Sequence, residues 1–230
     1  MIVKLSHGGD DMVTAVSTEE FSRGALRNRR MERAVTAAAG LFLERGIEDV
    51  KMTDIADASG VGVASLYRWF GTKTSVAAAA LTFLWQDVRR LFSDVFDSKE
   101  FTSRPGVRQM RDLMRMYVVL FTAHKDLLRL VGEFDRLIIT EQLSPQELAE
   151  YEKSVIDFYP IFKRAYDKGL ADGTVKEMGS IHDVYTAVSH ALNCMCMKFI
   201  RGKILPSEDF SHGEYELNLI IDMAVQYLSR

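Results

Sequence analysis

Apolar residues recur every three or four positions along most of this chain, and that spacing limits what it can fold into. Within residues 26–45, for example, Val35, Ala38, Leu41 and Phe42 fall on one helical face. No alternating pattern typical of a β-strand exceeds a few residues, and only four prolines interrupt the sequence. The pattern predicts an all-α protein, and an apolar share of 47% is ample for a packed core in one or two domains.

Glycine, proline and N-cap signals divide this pattern into helices. Gly46 is expected to end the first helix, and Ser144-Pro145-Gln146-Glu147 is a capping box with proline at the first helical position. Pro160 is expected to kink the helix that begins there. The expected helices span about residues 26–45, 52–59, 63–70, 73–96, 107–123, 125–139, 145–170, 181–201 and 213–230.

Composition excludes several functional classes. No run of 18 apolar residues occurs, so we expect no membrane span. Two cysteines in 230 residues are typical of a reducing cytoplasm. Residues 1–25 begin with an acidic stretch that does not resemble a secretory signal, and we expect them to form a flexible tail.

The chain carries no catalytic or metal-binding pattern. Its five histidines are scattered without an HExxH motif, and Gly60-Val61-Gly62 lacks the features of a phosphate-binding loop. Cys194 and Cys196 are two residues apart on a predicted helix, so their side chains point about 200° apart and do not easily share a metal or a disulfide. We therefore expect no metal, no cofactor and no enzymatic activity.

Charge is unevenly distributed along the sequence. The net charge is -3, but residues 21–75 contain nine Lys/Arg against six Asp/Glu. This positive segment is compatible with a nucleic-acid partner, although the excess is small.

The same segment has the spacing of a helix-turn-helix. Ala56 is a small residue where two helices must cross closely, and Gly60 supplies the positive φ that a short turn requires. Ile55, Val61 and Leu66 are placed to form the core beneath the turn.

These residues resemble the tetracycline-repressor (TetR) family of transcriptional regulators over about residues 28–88. The matching elements are Leu41-Phe42 with Gly46, Asp54-Ile55-Ala56, Ser59-Gly60-Val61, Leu66-Tyr67-Arg68-Trp69-Phe70 and Lys73. The resemblance implies an N-terminal three-helix helix-turn-helix DNA-binding domain over residues 26–88. It implies that residues 89–230 form a helical ligand-binding and dimerisation domain.

The resemblance also implies which residues contact double-stranded DNA. Leu66 and Phe70 would face inward, while the opposite side of the 63–70 helix would enter the major groove. An arm before the first helix would reach phosphates or the minor groove. The candidate DNA contacts are Thr53, Val63, Ala64, Ser65, Tyr67, Arg68 and Lys73, with Arg27, Arg29 and Arg30 in the arm.

Two positions depart from the family pattern. Lys51 and Gly62 stand where Ser or Thr commonly caps a helix. Hydrogen-bond donors are therefore scarce at the DNA-facing end, and we expect methyl contacts and DNA shape to contribute to specificity. A ligand-sensing or protein-interaction module that has lost DNA binding remains the alternative.

For the C-terminal part, the resemblance implies a repressor that is released by an unknown apolar or aromatic small molecule, and a homodimer on a palindromic operator. Recognition helices would then lie about 34–36 Å apart. Candidate ligand-binding residues are Trp85, Tyr117, Phe121, Phe134, Phe158 and Phe162. Candidate interface residues are Val184, Val188, Leu192, Met195, Leu217, Ile220 and Ile221.

Overall fold

A computed structural model describes residues 10–155 and 157–230, with side chains from Leu26 onward. These residues form helices joined by loops, which confirms the all-α prediction, and no helix among them is long and apolar enough to cross a membrane. The helices are α1 (Asp10–Arg45), α2 (Met52–Ser59), α3 (Val63–Phe70), α4 (Lys73–Phe96), α5 (Lys99–Ser103), α6 (Gly106–Met114), α7 (Met116–Ala123), α8 (Lys125–Glu141), α9 (Pro145–Ser154), α10 (Tyr159–Ala171), α11 (Ile181–Arg201) and α12 (Gly213–Leu228).

The N-terminal helices share one small core. α1 packs against α2 and α4, and α3 packs against α2 and the start of α4. Ala38, Phe42, Ile55, Leu66 and Val76 are each fully buried there. A three-helix unit carrying the predicted helix-turn-helix is thereby attached to the first turns of α4.

α4 joins this unit to the rest of the chain. Its 24 residues extend about 36 Å at the usual rise per residue. Val76 and Leu81 are buried near its start, and Trp85, Phe92 and Phe96 are buried further along, where α4 packs against α8, α9 and α5. One continuous helix therefore contributes to the cores of both parts.

The first helix starts earlier than the sequence predicted. α1 begins at Asp10 rather than near Leu26, so residues 10–25 of the expected flexible tail are helical, and residues 1–9 lie outside the described residues. Residues 10–23 contain no glycine or proline, and Gly24 alone does not end the helix.

Three further boundaries differ from the predictions. Part of the loop expected over residues 97–106 is the short helix α5, and the single helix expected over residues 107–123 divides at Arg115 into α6 and α7. Pro160 does not kink a continuous helix, because α9 ends at Ser154 and Pro160 lies in the first turn of α10. A missing N–H costs nothing at that position.

Two glycines allow α6 and α10 to cross at backbone contact. A Cβ placed on Gly106 would overlap the backbone N and Cα of Gly169. The Gly106 N–H donates to Asp172 Oδ2 at 2.8 Å, and Val107 N donates to Thr174 Oγ1 at 3.3 Å. Hydrogen bonds from the Thr174 hydroxyl and the Gly106 N–H lower the pKa of Asp172. The crossing therefore fixes how α6 packs against α10.

We predict that Gly106→Ala lowers the free energy of unfolding by about 2–3 kcal/mol, because the new methyl group must displace the backbone of α10. Chemical denaturation measures this change. Gly40→Ala is the matched control, since a Cβ at Gly40 of α1 meets no atom within 4 Å. The control should raise stability slightly, by up to about 1 kcal/mol. Equal effects of the two substitutions would contradict the proposed backbone contact.

Candidate nucleic-acid interface

The turn between α2 and α3 has the geometry that its two glycines permit. Gly60 caps α2 with φ of +65° in the left-handed region, where a side chain would be strained. Val61 is buried directly after it, and Gly62 is the extended N-cap of α3. The chain therefore reverses within three residues, as a helix-turn-helix requires.

One side chain anchors α3 from behind. Leu66 is fully buried, as are Ile55 of α2 and, nearly so, Val61 of the turn. Phe70, four residues after Leu66, is half-buried against the same core. The inward face predicted for α3 is thus present, with Leu66 contributing most of its burial.

The opposite face of α3 is open to solvent. Ala64, Tyr67 and Arg68 are exposed, and 51% of Tyr67 is accessible. Ser65 is half-buried and lies 3.5 Å from Arg68 Nη2. Val63 is half-buried and packs against the core, so less of it can reach a DNA base than the sequence suggested. α3 therefore presents small residues at its N-terminal end and larger polar residues beyond them.

The start of α2 lies beside this surface. Thr53 and Lys51 are exposed. The Lys51 side chain cannot accept a hydrogen bond and so does not cap α2. Asp54 contributes to the capping instead, because its Oδ2 accepts the Lys51 backbone N–H at 2.9 Å. Asp54 Oδ2 also lies 3.7 Å from Arg45 Nη2. This arrangement leaves the Lys51 side chain at the surface, near the predicted DNA contact of Thr53.

Lys73 has a structural role that the sequence did not predict. Its Nζ donates to the carbonyl oxygens of Ile47 at 2.7 Å, Glu48 at 3.0 Å and Val50 at 3.0 Å. An ammonium group has three N–H donors, and these carbonyls use all of them. The predicted phosphate contact of Lys73 is therefore contradicted, because the side chain instead holds the loop between α1 and α2.

Residues on α8 hold the same loop from another side. Glu133 Oε2 accepts the Ile47 N–H at 2.7 Å, and Arg136 pairs with Glu48 at 2.6 Å. Arg129 pairs with Glu133 at 2.8 Å and donates to the Leu43 carbonyl at 2.5 Å. These residues could not be identified from the sequence, since charges four apart on a helix usually form only local pairs.

The basic arm predicted before the first helix is part of that helix. Arg27, Arg29 and Arg30 all lie in α1 and are exposed. Successive helical residues project about 100° apart, so Arg27 and Arg30 lie on one side of α1 and Arg29 on another. The prediction that these residues precede the first helix is wrong, and their contact with DNA stays a prediction.

The six aromatic candidates for ligand binding are not brought together around any of five cavities of about 350 to 670 Å³ found among the described residues, because none of the six lines any of them. They pack instead in separate pairs: Phe158 with Phe92, Phe134 with Tyr151, Phe162 with Tyr185 and Phe121 with Phe199, whereas Trp85 is buried and Tyr117 half-buried.

Three of the predicted interface residues belong to the core of the single chain. Leu192, Leu217 and Ile221 are fully buried, so they have no surface to offer a partner, and their assignment was wrong. Val184, Val188, Met195 and Ile220 are half-buried against the core. The spacing of apolar residues on these helices did not reveal which face packs against the same chain and which face is open to a partner.

A different row of apolar side chains is exposed on α12. Tyr215, Leu219, Met223 and Tyr227 follow one another at four-residue intervals and are 45% to 67% accessible. We call these four residues the α12 stripe. The two tyrosines could have been found from the sequence, because they continue the spacing of Leu219 and Met223.

We predict that Lys73→Met lowers the free energy of unfolding by about 1–3 kcal/mol, because three loop carbonyls lose a charged donor. Chemical denaturation of the DNA-free protein measures the change. Lys51→Met, at an exposed lysine of the same surface, should leave stability unchanged. If Lys73→Met left the free energy of unfolding unchanged, the lysine would not stabilise the loop, and the predicted phosphate contact would be favoured again.

The helix-turn-helix segment and the overall fold are both similar to those of known proteins. Residues 34–80 match the family described as bacterial regulatory proteins, tetR family. A TetR transcription regulator from Haloarcula marismortui is similar in structure, with a TM-score of 0.66 and 15% identity over 88% of this chain and 100% of that one. A putative transcriptional regulator from Saccharomonospora viridis in complex with choline has a TM-score of 0.59 and 22% identity over 86% of this chain and 96% of that one.

A third similar structure is the transcriptional regulator FadR from Bacillus subtilis in complex with stearoyl-CoA, with a TM-score of 0.55 and 14% identity over 84% of this chain and 97% of that one. No curated protein matches the chain. The matched segment spans the end of α1, both helices of the helix-turn-helix and the start of α4. Residues 34–80 therefore match the helix-turn-helix segment of the tetR family, and the chain as a whole has a fold similar to that of a TetR transcription regulator.

Proposed function

We propose that the protein is a sequence-specific DNA-binding transcriptional regulator that acts as a repressor. The observation that supports this most strongly is the two-sided character of α3, with Leu66 fully buried and Tyr67 and Arg68 exposed on the outer face. A module that had lost DNA binding would not need this exposed face, so the alternative is not favoured.

The outer face of α3 fits the chemistry of the major groove. The methyl group of Ala64 suits the thymine methyl, and its small size lets the helix end approach the bases. The hydroxyls of Ser65 and Tyr67 suit phosphate oxygens. Arg68 is long enough to donate to a guanine edge, and its weak contact with Ser65 is easily exchanged. Thr53 adds a hydroxyl from the start of α2.

We predict different consequences for two substitutions on this face. Tyr67→Ala should weaken binding to all sequences by a similar factor, about tenfold, because a phosphate contact carries no sequence information. Arg68→Gln should change which sequences are preferred, because it alters contact with a base. Selection from a random duplex library, followed by titration of the selected sites, measures both effects.

Arg108→Gln is the control for these variants, since Arg108 is exposed on α6 and α6 does not pack against the helix-turn-helix. It should leave affinity and preference unchanged. Selection of no preferred site by the unaltered protein would contradict the proposed function. If Arg68→Gln preferred the same DNA sequences as the unaltered protein, the proposed contact of Arg68 with a base would be contradicted.

The proposed operator-binding form is a homodimer joined through α11 and α12. The α12 stripe is an apolar row that one chain leaves open to water, and such rows are typical of interaction surfaces. Exposed Ala187 and Ala191 on neighbouring α11 are small enough for a second copy to pack closely. A two-fold dimer would match a palindromic site.

We predict that Met223→Lys converts the dimer to a monomer, because the charge would be buried in an apolar interface. Sedimentation velocity at micromolar concentration measures the oligomeric state. Ile139→Lys is the control, since Ile139 is also exposed, at 76%, but lies on α8. A monomeric unaltered protein, or an unaffected Met223→Lys dimer, would contradict the proposed interface.

We propose that an apolar or aromatic effector releases the repressor from DNA. The related folds were solved in complex with choline and with stearoyl-CoA, which shows that similar structures hold small molecules. In this chain the indole N–H of Trp85 is buried without a normal hydrogen-bond partner among the described residues, although the Tyr151 hydroxyl lies near it.

Two tyrosine hydroxyls provide further polar groups for such an effector. Tyr117 and Tyr185 are half-buried, and burial raises the pKa of both, that of Tyr185 to about 12. Their hydroxyls, which lie beside Ser189, are protonated at neutral pH like those of any tyrosine and carry a donor O–H. An effector with an acceptor oxygen would suit this interior. Operator affinity that is unchanged across a broad panel of ligands would argue against it.

A further inference from the structure

A groove with cationic walls lies between α8 and α11, away from the aromatic interior. Its volume is about 670 Å³, which falls in the range typical of small-molecule sites. Arg129 and Arg136 line it from α8, and Lys198 and Arg201 line it from α11. Glu133 is the one acidic residue in its lining. A chain with a net charge of -3 thus concentrates positive charge around one groove.

The floor of the groove is apolar. Gly132, Met197 and Ile200 line it between the charged walls. The Met197 methyl lies only 2.7 Å from where a Cβ on Gly132 would be, so the glycine lets α11 approach α8 closely. An apolar floor with a cationic rim suits a molecule that has a compact apolar body and an anionic group.

The cations of the rim are only partly neutralised by the protein itself. Arg201 makes no ion pair or side-chain hydrogen bond with the described residues. Arg136 pairs with Glu48, but both side chains are more than half exposed, and such pairs are easily exchanged. Lys198 lies 3.5 Å from Glu208. An incoming anion can therefore recruit Arg136 and Arg201 at little cost.

We propose that this groove binds a small organic anion, with a carboxylate or phosphate group held by Arg136 and Arg201 and an apolar body resting on Met197 and Ile200. Arginine is suited to this task because its planar guanidinium donates two parallel hydrogen bonds to such groups. The site is separate from the aromatic candidates for the effector pocket, none of which lines it.

Binding in the groove has a consequence that rests on the proposed DNA-binding function. Arg136 and Glu133 contact the loop after α1 through Glu48 and the Ile47 N–H. An anion that recruits Arg136 would release Glu48 and alter how α8 holds that loop. Any resulting change in operator affinity must be matched by an equal change in anion affinity when DNA is bound.

Calorimetric titration of the full chain with benzoate, phenyl phosphate and neutral benzamide tests the site directly. At least one anion should bind about tenfold more tightly than benzamide, and the two anions distinguish carboxylate from phosphate recognition. The double variant Arg136→Gln/Arg201→Gln should lose this preference, and the control Arg108→Gln should keep it. Neither anion binding more tightly than benzamide, or an unchanged preference in the double variant, would overturn the proposal.

Cys194 provides a second readout because it lines the groove and is exposed, whereas Cys196 is buried and serves as an internal control. The bound anion should slow alkylation of Cys194 by N-ethylmaleimide, and benzamide should not. A Cys194 that is unreactive in the free protein would mean that a second copy covers the groove, which would overturn the proposal. Neither measurement uses DNA, so failure here leaves the tests of the regulator function intact.

Discussion

Burial of Leu66 is the contact on which the proposed DNA-contacting face of α3 depends. α3 is only eight residues long, too short to be a stable helix alone, and Leu66 is its one fully buried side chain. Burying a leucine contributes about 1.5–3 kcal/mol, and Ile55 and Val61 complete the core behind it. This anchoring on one face is what leaves Tyr67 and Arg68 free on the other.

The loop between α1 and α2 is where the helix-turn-helix unit contacts α8. Lys73 at the start of α4 donates hydrogen bonds to carbonyl oxygens of this loop, and Glu133 of α8 accepts a hydrogen bond from the Ile47 N–H. α4 and α8, which both pack in the C-terminal part of the chain, therefore hold one short segment of the helix-turn-helix unit. A shift of either helix would move this loop through contacts that are all within one chain. Coupling between the proposed ligand site and the proposed DNA-contacting face would have to operate in both directions.

Local patterns could be predicted from the sequence, whereas contacts between residues far apart in the chain could not. The helix-turn-helix was predictable because Gly60 and Leu66 act within a few residues of each other. The role of Lys73 was not, because its partners lie more than twenty residues earlier and are backbone atoms that any sequence supplies. Leu217 was misassigned for a related reason: apolar spacing marks a buried face but does not say whether the same chain or a partner covers it.

We propose above all that the exposed face of α3 enters the major groove of duplex DNA. Guanine-N7 methylation protection on a selected site measures this most directly, because N7 lies in that groove. A dimer with both α3 helices in the major groove should protect two patches on one face of the duplex, with centres about 34–36 Å apart. Binding without major-groove protection, or with one continuous protected stretch, would contradict it.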